Sequence, residues 1–233
     1  MDNSGHNKSV VLAKNVPEEA VGSLRKLGYT PVFTRECPYF DTAVAFHPDL
    51  IICRHSSGGF LAWDGIDGGI RELLGDNVTW VSFDKDASNL SNEGKLNVLD
   101  VGKYRFANRK YCADIILPPS FVFIHVNQVY CACSSIPVDE GSVITDDPSI
   151  KKAAEAVGLA VLFVSKGDVS LPGHPYGFIG GSCVRLDGKI GFFGELASHR
   201  DGKAVRDFIE SRGIEVVELC GGRLRDLGGG VLI

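Results

Sequence analysis

Four glycines divide the chain in the same way, and they constrain its fold more than any other feature. Each follows a stretch whose apolar side chains recur at helical spacing, and each precedes an apolar run of strand length. The four positions are Gly28, Gly75, Gly158 and Gly213. Because glycine commonly ends helices, the pattern predicts four pairs of a helix and a following strand. In the third pair Asp147 and Pro148 mark the start of the helix, since Asp caps helices and Pro is favoured in the first turn.

Most of these units also carry a hairpin signal ahead of the helix. Asp187-Gly188 is the clearest, because Asp-Gly between two apolar runs favours a two-residue turn. Residues 139–141 and 56–59 have the same place in earlier units. The interval between Gly75 and Gly158 is nearly twice that between Gly28 and Gly75, which predicts a further unit within residues 84–130, with its hairpin around Val101-Gly102.

These signals predict an α/β fold, namely a propeller-like ring of about five strand–turn–strand–helix–strand repeats in a single domain of residues 1–233. The repeats cover roughly residues 1–48, 49–84, 85–128, 129–175 and 176–233. The first repeat lacks its opening strand, which residues 231–233 are predicted to supply, and this would close the ring and cover strand edges. The alternative is an open doubly wound sheet. The hairpin before each helix favours the ring, because plain crossover units do not need one.

Composition excludes several classes of partner. The net charge of -5 and the pI near 5.7 argue against nucleic acid or an anionic membrane surface as a partner. No apolar run approaches the roughly 20 residues of a membrane helix, and no export signal opens the sequence, so we expect a cytoplasmic protein with seven reduced cysteines. No cofactor or metal site is predicted, and the oligomeric state is left open.

Three stretches carry a resemblance to a known superfamily. Residues 178–186, with Gly180-Gly181 ahead of an apolar strand, look like the acidic-Gly-Gly-Asp-Val-Leu segment of the guanidino-group-modifying, or pentein, superfamily. Residues 226–233 look like the glycine-rich strand that ends in its nucleophilic cysteine, and residues 171–181 resemble an uncharacterised bacterial branch. The superfamily includes deiminases, amidinotransferases and dimethylarginine hydrolases. The resemblance implies a ring of five units and a small-molecule site at its axis.

The sequence departs from the superfamily at the positions of its catalytic residues. Guanidine chemistry there needs a thiolate nucleophile, a histidine and carboxylates that hold the planar cation. Leu232 or Ile233 stands in place of the cysteine, and Ile179 and Ser182 flank the glycine pair in place of acidic residues. Because these side chains cannot replace a thiolate or a carboxylate, we predict that the usual deiminase mechanism is lost.

We therefore predict that the protein binds a small molecule or a protein partner near the axis, without deiminase activity. The candidate ligand-binding residues are Asp146, His174, Tyr176, Gly180, Gly181, Ser182 and Asp226. The glycines among them, like those at 228–230, either allow close packing, which we favour, or let a ligand approach the backbone. A purely structural subunit with a filled axis is a third possibility.

The alternative from a different class is a cysteine-dependent amidinohydrolase or amidohydrolase acting on a guanidino or amide compound. Its candidate catalytic residues are Cys133 and His174. Cys131 and Cys133 are predicted to lie on one face of a strand, where a buried structural thiol is the favoured interpretation. His174 lies in a Gly- and Pro-rich loop, where a structural role in a turn is favoured, and His47 is expected to pack at a turn before a strand. Whether the protein is an enzyme is left open by the sequence.

Overall fold

The computed structural model describes residues 8–54, 59–114 and 121–233. The strands found there are β1 (Ser9–Leu12), β2 (Thr30–Phe33), β3 (Ile52–Arg54), β4 (Phe60–Trp63), β5 (Val78–Val81), β6 (Leu99–Val101), β7 (Tyr104–Ala107), β8 (Val122–His125), β9 (Ser135–Asp139), β10 (Ser142–Thr145), β11 (Ala160–Phe163), β12 (Cys183–Leu186), β13 (Lys189–Phe192), β14 (Glu215–Glu218) and β15 (Gly230–Leu232). The α-helices are α1 (Glu18–Lys26), α2 (Gly68–Leu74), α3 (Asn89–Glu93), α4 (Pro148–Ala156) and α5 (Gly202–Glu210). The protein is therefore a mixed α/β structure.

The described strands form five separate three-stranded sheets with one common connectivity. The sheets are β15-β1-β2, β3-β4-β5, β6-β7-β8, β9-β10-β11 and β12-β13-β14. In each, the middle strand pairs antiparallel with the first strand named and parallel with the last. We call the first strands β15, β3, β6, β9 and β12 the entry strands. A parallel pair needs a crossover, and in four sheets a described helix, α1, α2, α4 or α5, lies in that crossover.

Several local predictions are confirmed. The helices end before Gly28, Gly75, Gly158 and Gly213, which all have positive φ, the conformation that favours glycine at a helix end. The Asp187-Gly188 hairpin joins β12 to β13, and a sheet is present within residues 84–130. The side chain of Asp147 caps α4 as predicted, accepting hydrogen bonds from the backbone of Ser149 and Ile150. The predicted turn at 56–59 falls mostly on residues 55–58, which lie outside the described residues.

The end of the chain supplies the missing strand of the first sheet. β15 pairs antiparallel with β1, with Val231 opposite Val11. This pairing was predicted, and it joins segments separated by almost the whole sequence. The alternative of one open doubly wound sheet is wrong for the described residues, because their strands form separate small sheets. The closure of the five sheets into a ring stays a prediction.

Two strand boundaries differ from those expected. Residues 131–134 form a turn rather than part of a strand, because the backbone N–H of Ser134 donates to the carbonyl of Tyr130 in a helix-like bond. Cys131 and Cys133 consequently do not share a strand face. Residues Pro48–Leu50 likewise form a short 3₁₀ helix, and the strand begins at Ile52.

The apolar side chains form several clusters between the sheets and helices. One packs α1 against β1 and β12, and another packs α5 against β9, β10 and β13. Entry strands of neighbouring sheets also contact one another, β6 with β9 and β12 with β15. In the described part of the chain no helix is long and apolar enough to cross a bilayer.

Candidate functional site at the start of the entry strands

The polar residues of the candidate site come from the five segments that precede the entry strands. His47 and Asp49 precede β3, Asn97 precedes β6, Cys133 precedes β9, and Asp226 precedes β15. The 3₁₀ turn Gly180–Ser182 precedes β12. Because the five sheets have the same connectivity, these segments occupy equivalent positions, and hydrogen bonds between them show that they meet.

Asp49 and Cys133 are in direct contact. The Cys133 thiol donates a hydrogen bond to Asp49 Oδ2, with 2.8 Å between the sulfur and the oxygen. The short 3₁₀ helix that begins after His47 places Asp49 two residues from the imidazole. The ligating atoms of His47, Asp49 and Cys133 lie within 4.8 Å of one another. A histidine, a carboxyl and a thiol thus form one compact cluster, which we call the triad.

Asn97 holds the turn that carries Cys133. Its side-chain oxygen accepts a hydrogen bond of 2.8 Å from the backbone N–H of Ala132. Its amide nitrogen lies 3.3 Å from the Cys133 sulfur and 3.3 Å from the Asp49 carbonyl oxygen, and donates to both. Asn97 is itself buried. It therefore fixes the position of two triad residues from a third segment of the chain.

Asp226 closes the site on the side of the imidazole. Its Oδ2 accepts a 2.8 Å hydrogen bond from the backbone N–H of Phe178, and its Oδ1 lies 3.9 Å from His47 Nδ1. A Cβ on Gly181 would stand 1.9 Å from Asp226 Oδ1, and one on Gly228 would stand 2.4 Å from the Cβ of His47. These distances support the close-packing interpretation at Gly181 and Gly228.

Burial controls the charge of the triad. It raises the pKa of the Asp49 carboxyl to about 8 and raises that of the Cys133 thiol well above its usual value. It also lowers the pKa of the His47 imidazole. The charged form of each group is disfavoured because the surroundings solvate it poorly. Near neutral pH the thiol is consequently protonated, and only a thiolate is a good nucleophile.

A cavity of about 430 Å³ lies beside the triad. Residues of all five entry strands line it, among them Ile52, Leu99, Pro137, Leu186 and Val231. A smaller cavity of about 160 Å³ adjoins it and reaches Gly180 and Gly228–Gly230. Asp49 lines both cavities and is the triad residue that borders this space.

The walls of the larger cavity carry two arginines. Arg185 lines both cavities, and it has no hydrogen-bond or ion-pair partner among the described residues. Arg54 donates a 2.7 Å hydrogen bond to the carbonyl of Leu232. The carboxylate of Asp100 also faces the cavity, but it already forms a two-point hydrogen bond with buried Arg105, at 2.7 and 2.6 Å. Among the described residues Asp100 is thus committed to Arg105. Arg185, whose side chain is exposed, interacts electrostatically with Asp139 and with Arg54 beyond ion-pair distance.

The candidate residues predicted from the sequence differ in their burial and in the residues that they contact. Ser182 is buried and donates to the Ile179 carbonyl, and Asp146 is buried and accepts from the Ile179 N–H at 3.3 Å. His174 is exposed and lies 3.5 Å from Asp41, and Tyr176 is exposed beside Phe178. The partners of Cys133 are Asp49 and Asn97.

Sequence reasoning missed His47 as a functional residue, and it missed Asp49 and Asn97 altogether. His47 and Asp49 share one segment and Asn97 lies in another, so no spacing motif links the three residues. The one available signal was position, because each comes a few residues before an entry strand, as Gly180–Ser182 does in its own unit. Only alignment of the repeats against one another would have brought these residues together.

Comparison with solved structures supports the fold. The chain aligns with inosamine-phosphate amidinotransferase from Streptomyces griseus with a TM-score of 0.52 and 13% identity, over 91% of this chain and 76% of that one. It aligns with dimethylarginine dimethylaminohydrolase, solved as an adduct with 4-chloro-2-hydroxymethylpyridine, with a TM-score of 0.51 and 9% identity, over 91% of both chains. The alignment with an amidinotransferase from Microseira wollei has a TM-score of 0.41 and 14% identity over 64% of this chain, which spans 55% of that protein.

At these identities the likeness concerns the fold alone. The resemblance to the pentein superfamily, predicted from the glycine-rich stretches, is confirmed at that level. No curated protein matches the sequence. Residues 11–231, almost the whole chain, match the model of a family described as "Family of unknown function (DUF6873)". The chain therefore belongs to the DUF6873 family.

Proposed function

We propose that this protein binds a small anionic molecule in the cavity between its entry strands and does not hydrolyse guanidino compounds. The observation that carries the proposal is the cavity of about 430 Å³, lined by all five entry strands and by Arg185, which has no hydrogen-bond or ion-pair partner in the described part of the chain. Its volume falls within the roughly 300–1,000 Å³ that small-molecule sites occupy.

The position of the cavity supports a ring of five sheets around it. A space lined by one strand from every sheet is what a pseudo-fivefold arrangement would enclose. The contacts between β6 and β9 and between β12 and β15 agree with this arrangement, because they join the entry strands of successive units. In the proposed ring, the ligand lies on the axis and the triad lies at one end of it.

The charge of the cavity supports an anionic ligand. An arginine side chain without a partner favours a carboxylate or phosphate group, which it can bind through two parallel hydrogen bonds. Arg54 adds a second cation on the same wall. A guanidinium ligand would meet two positive charges there. Asp49, the acidic triad residue that lines the cavity, has a pKa raised to about 8 by burial. Anion binding is therefore favoured over binding of an arginine-like cation.

A thermal-shift experiment on the intact chain tests this proposal. The probes are citrate, glutamate, phosphoserine and inorganic phosphate, with arginine and agmatine as cationic comparisons. We expect at least one anion to raise the melting temperature, since a ligand present at 100 times its Kd stabilises the native state by about 2.7 kcal/mol. The cationic probes should have no such effect.

Arg185→Gln provides the decisive variant, because it removes the charge and keeps most of the side chain. The matched control is Arg25→Gln, which removes an exposed arginine from α1. The anion-dependent shift should vanish in the first variant and persist in the second. A shift that survives Arg185→Gln, or a chain that responds only to arginine and agmatine, would refute the proposal.

A cysteine-dependent hydrolase is the second candidate function, and the triad is the observation that favours it. A thiol, an imidazole and a carboxyl within 4.8 Å of one another include the groups that such enzymes use. In this hydrolase the histidine that acts with Cys133 would be His47, and His174 would take no direct part in catalysis. The protonated state of the buried thiol argues against it in the ligand-free protein.

Product analysis separates the two candidates. The intact protein is incubated with arginine, agmatine and simple amides, and citrulline, urea and ammonia are measured. We expect no release above that of the Cys133→Ser variant. Release that disappears in Cys133→Ser but persists in Cys131→Ser would establish the hydrolase instead.

A further inference from the structure

We propose that His47, Asp49 and Cys133 form a binding site for a divalent transition-metal ion, with Zn²⁺ as the preferred ion. The proposal concerns the triad itself and does not depend on whether the cavity takes an anion. It follows from the identity of the three side chains, their separation and the unsatisfied atoms among them.

The donor set has the chemistry of a zinc site. A thiolate, an imidazole and a carboxylate are the three side-chain types that bind Zn²⁺ in proteins, and a thiolate disfavours the hard ions Mg²⁺ and Ca²⁺. The three ligating atoms come from two segments of the chain. Asn97, in a third segment, donates hydrogen bonds to Asp49 and Cys133 that hold these two segments together. A merely structural thiol, the expectation from sequence, would not require a buried carboxyl and imidazole beside it.

Two buried atoms in the triad lack partners. His47 Nδ1 and Asp49 Oδ1 are inaccessible to solvent and have no hydrogen-bond partner in the described structure. The His47 side chain is only 3% exposed. Leaving such atoms unpaired is unfavourable, because their lost hydration is not replaced, and native proteins contain few of them. A bound ion would use the polar groups whose burial is otherwise a net cost.

The separations require only a small adjustment. A tetrahedral ion with bonds of about 2.3 Å to sulfur and about 2.0 Å to oxygen holds those two atoms about 3.5 Å apart. The Cys133 sulfur and Asp49 Oδ2 are 2.8 Å apart, as a hydrogen-bonded pair should be, so they must separate by about 0.7 Å. No pair is more than 4.8 Å apart, so none has to close by more than about 1.3 Å. The thiol proton thus occupies the place that the ion would take.

Asp226 is the acidic residue beside the triad, on the side of the His47 nitrogen that lacks a partner. Asp226 Oδ1 lies 3.9 Å from His47 Nδ1. Three protein ligands leave a fourth position on a tetrahedral ion for water or another small ligand. Asp49 is the triad residue that lines both cavities.

Binding must release a proton. The Cys133 S–H bond breaks, its electron pair forms the sulfur–metal bond, and the proton goes to solvent, with no change of oxidation state. In a weakly buffered titration with Zn²⁺, we therefore expect at least one proton per ion bound. Titration with Co²⁺ should produce the near-ultraviolet charge-transfer absorption of a thiolate–cobalt bond.

Calorimetric titration of the intact chain with Zn²⁺ alone tests the ligand set. We expect one ion per chain, with affinity reduced at least about 100-fold in His47→Gln, Asp49→Asn and Cys133→Ser, more than the loss typical of substitutions outside the ligand set. Cys131→Ser is the matched control, because this buried thiol lies on the same turn but donates to the Gln128 carbonyl. It should bind as the wild type does.

The wild-type cobalt spectrum decides the outcome if a variant fails to fold. Bound Co²⁺ without thiolate charge transfer would overturn the proposal. So would the absence of stoichiometric Zn²⁺ binding, or an equal loss of affinity in Cys131→Ser and Cys133→Ser when both variants are folded. A thiolate–cobalt spectrum that is retained in Cys131→Ser would support it.

Discussion

Asp146 carries a stability cost that depends on pH and that can be measured. Its carboxyl is buried, with Oδ2 accepting the N–H of Ile179 at 3.3 Å. Its other oxygen, Oδ1, is buried without a hydrogen-bond partner among the described residues, and Lys166 Nζ lies 3.9 Å from it. Burial raises the pKa of Asp146 from 3.8 to about 7. Asp146→Asn keeps the shape and an acceptor for Ile179 but cannot ionise.

The sign of the effect follows from proton binding. With a raised pKa, folded Asp146 holds its proton more tightly than the unfolded chain does, so stability falls as pH rises from about 4 to about 7 and is level above that range. Each pKa unit corresponds to about 1.4 kcal/mol, and the full shift therefore costs the wild type about 4 kcal/mol in alkaline solution. At about pH 5 the same reasoning yields a cost of roughly 1–2 kcal/mol.

Urea unfolding of both proteins, followed by tryptophan fluorescence, measures this difference. Between about pH 5 and about pH 9 we expect the unfolding free energy of Asp146→Asn to rise relative to wild type by roughly 2–3 kcal/mol. Asp76→Asn, which changes an exposed carboxyl, is the control and should show less than about 0.5 kcal/mol of change. If the relative stability of Asp146→Asn is the same at both pH values, the carboxyl is ionised in the folded protein and the reasoning fails.

Three further substitutions test the packing around the site and one helix start, each by the unfolding free energy. Gly181→Ala should lower the unfolding free energy by about 1–3 kcal/mol or more, because its Cβ would stand 1.9 Å from Asp226 Oδ1. Gly22→Ala in α1 is the control: its Cβ meets nothing within 4 Å, and it should raise the unfolding free energy by about 0.5–1 kcal/mol. Equal effects at the two glycines would contradict the close packing. Asn97→Ala should cost about 1–3 kcal/mol by leaving buried polar groups unpaired, and a neutral result would remove its role in holding the turn. Asp147→Ala should cost about 0.5–2 kcal/mol through loss of the α4 cap, and helical content that survives with no loss of stability would show that the cap is dispensable.

The candidate site was only partly predictable. Asp226, Gly180, Gly181 and Ser182 were predicted from the glycine-rich stretches, and the structure brings them next to the cluster of buried polar groups. Cys133 was also predicted, but on a strand face. In the structure it lies on a turn, because the side chain of Asn97 accepts from the backbone there. That hydrogen bond spans 35 positions, so no local pattern contains it.

The sequence by itself determined the features that depend on neighbouring residues. Helices end at Gly28 and Gly158 because the following backbone needs a positive φ, and a strand pair turns at Asp187-Gly188 because two residues suffice for a hairpin. Tertiary structure alone decided the composition of the triad. His47, Asp49 and Cys133 meet only when the segments ahead of different entry strands come together, and the burial that results sets their charge. Such contacts arise from the packing of whole sheets, and a chain pattern of a few residues cannot encode them.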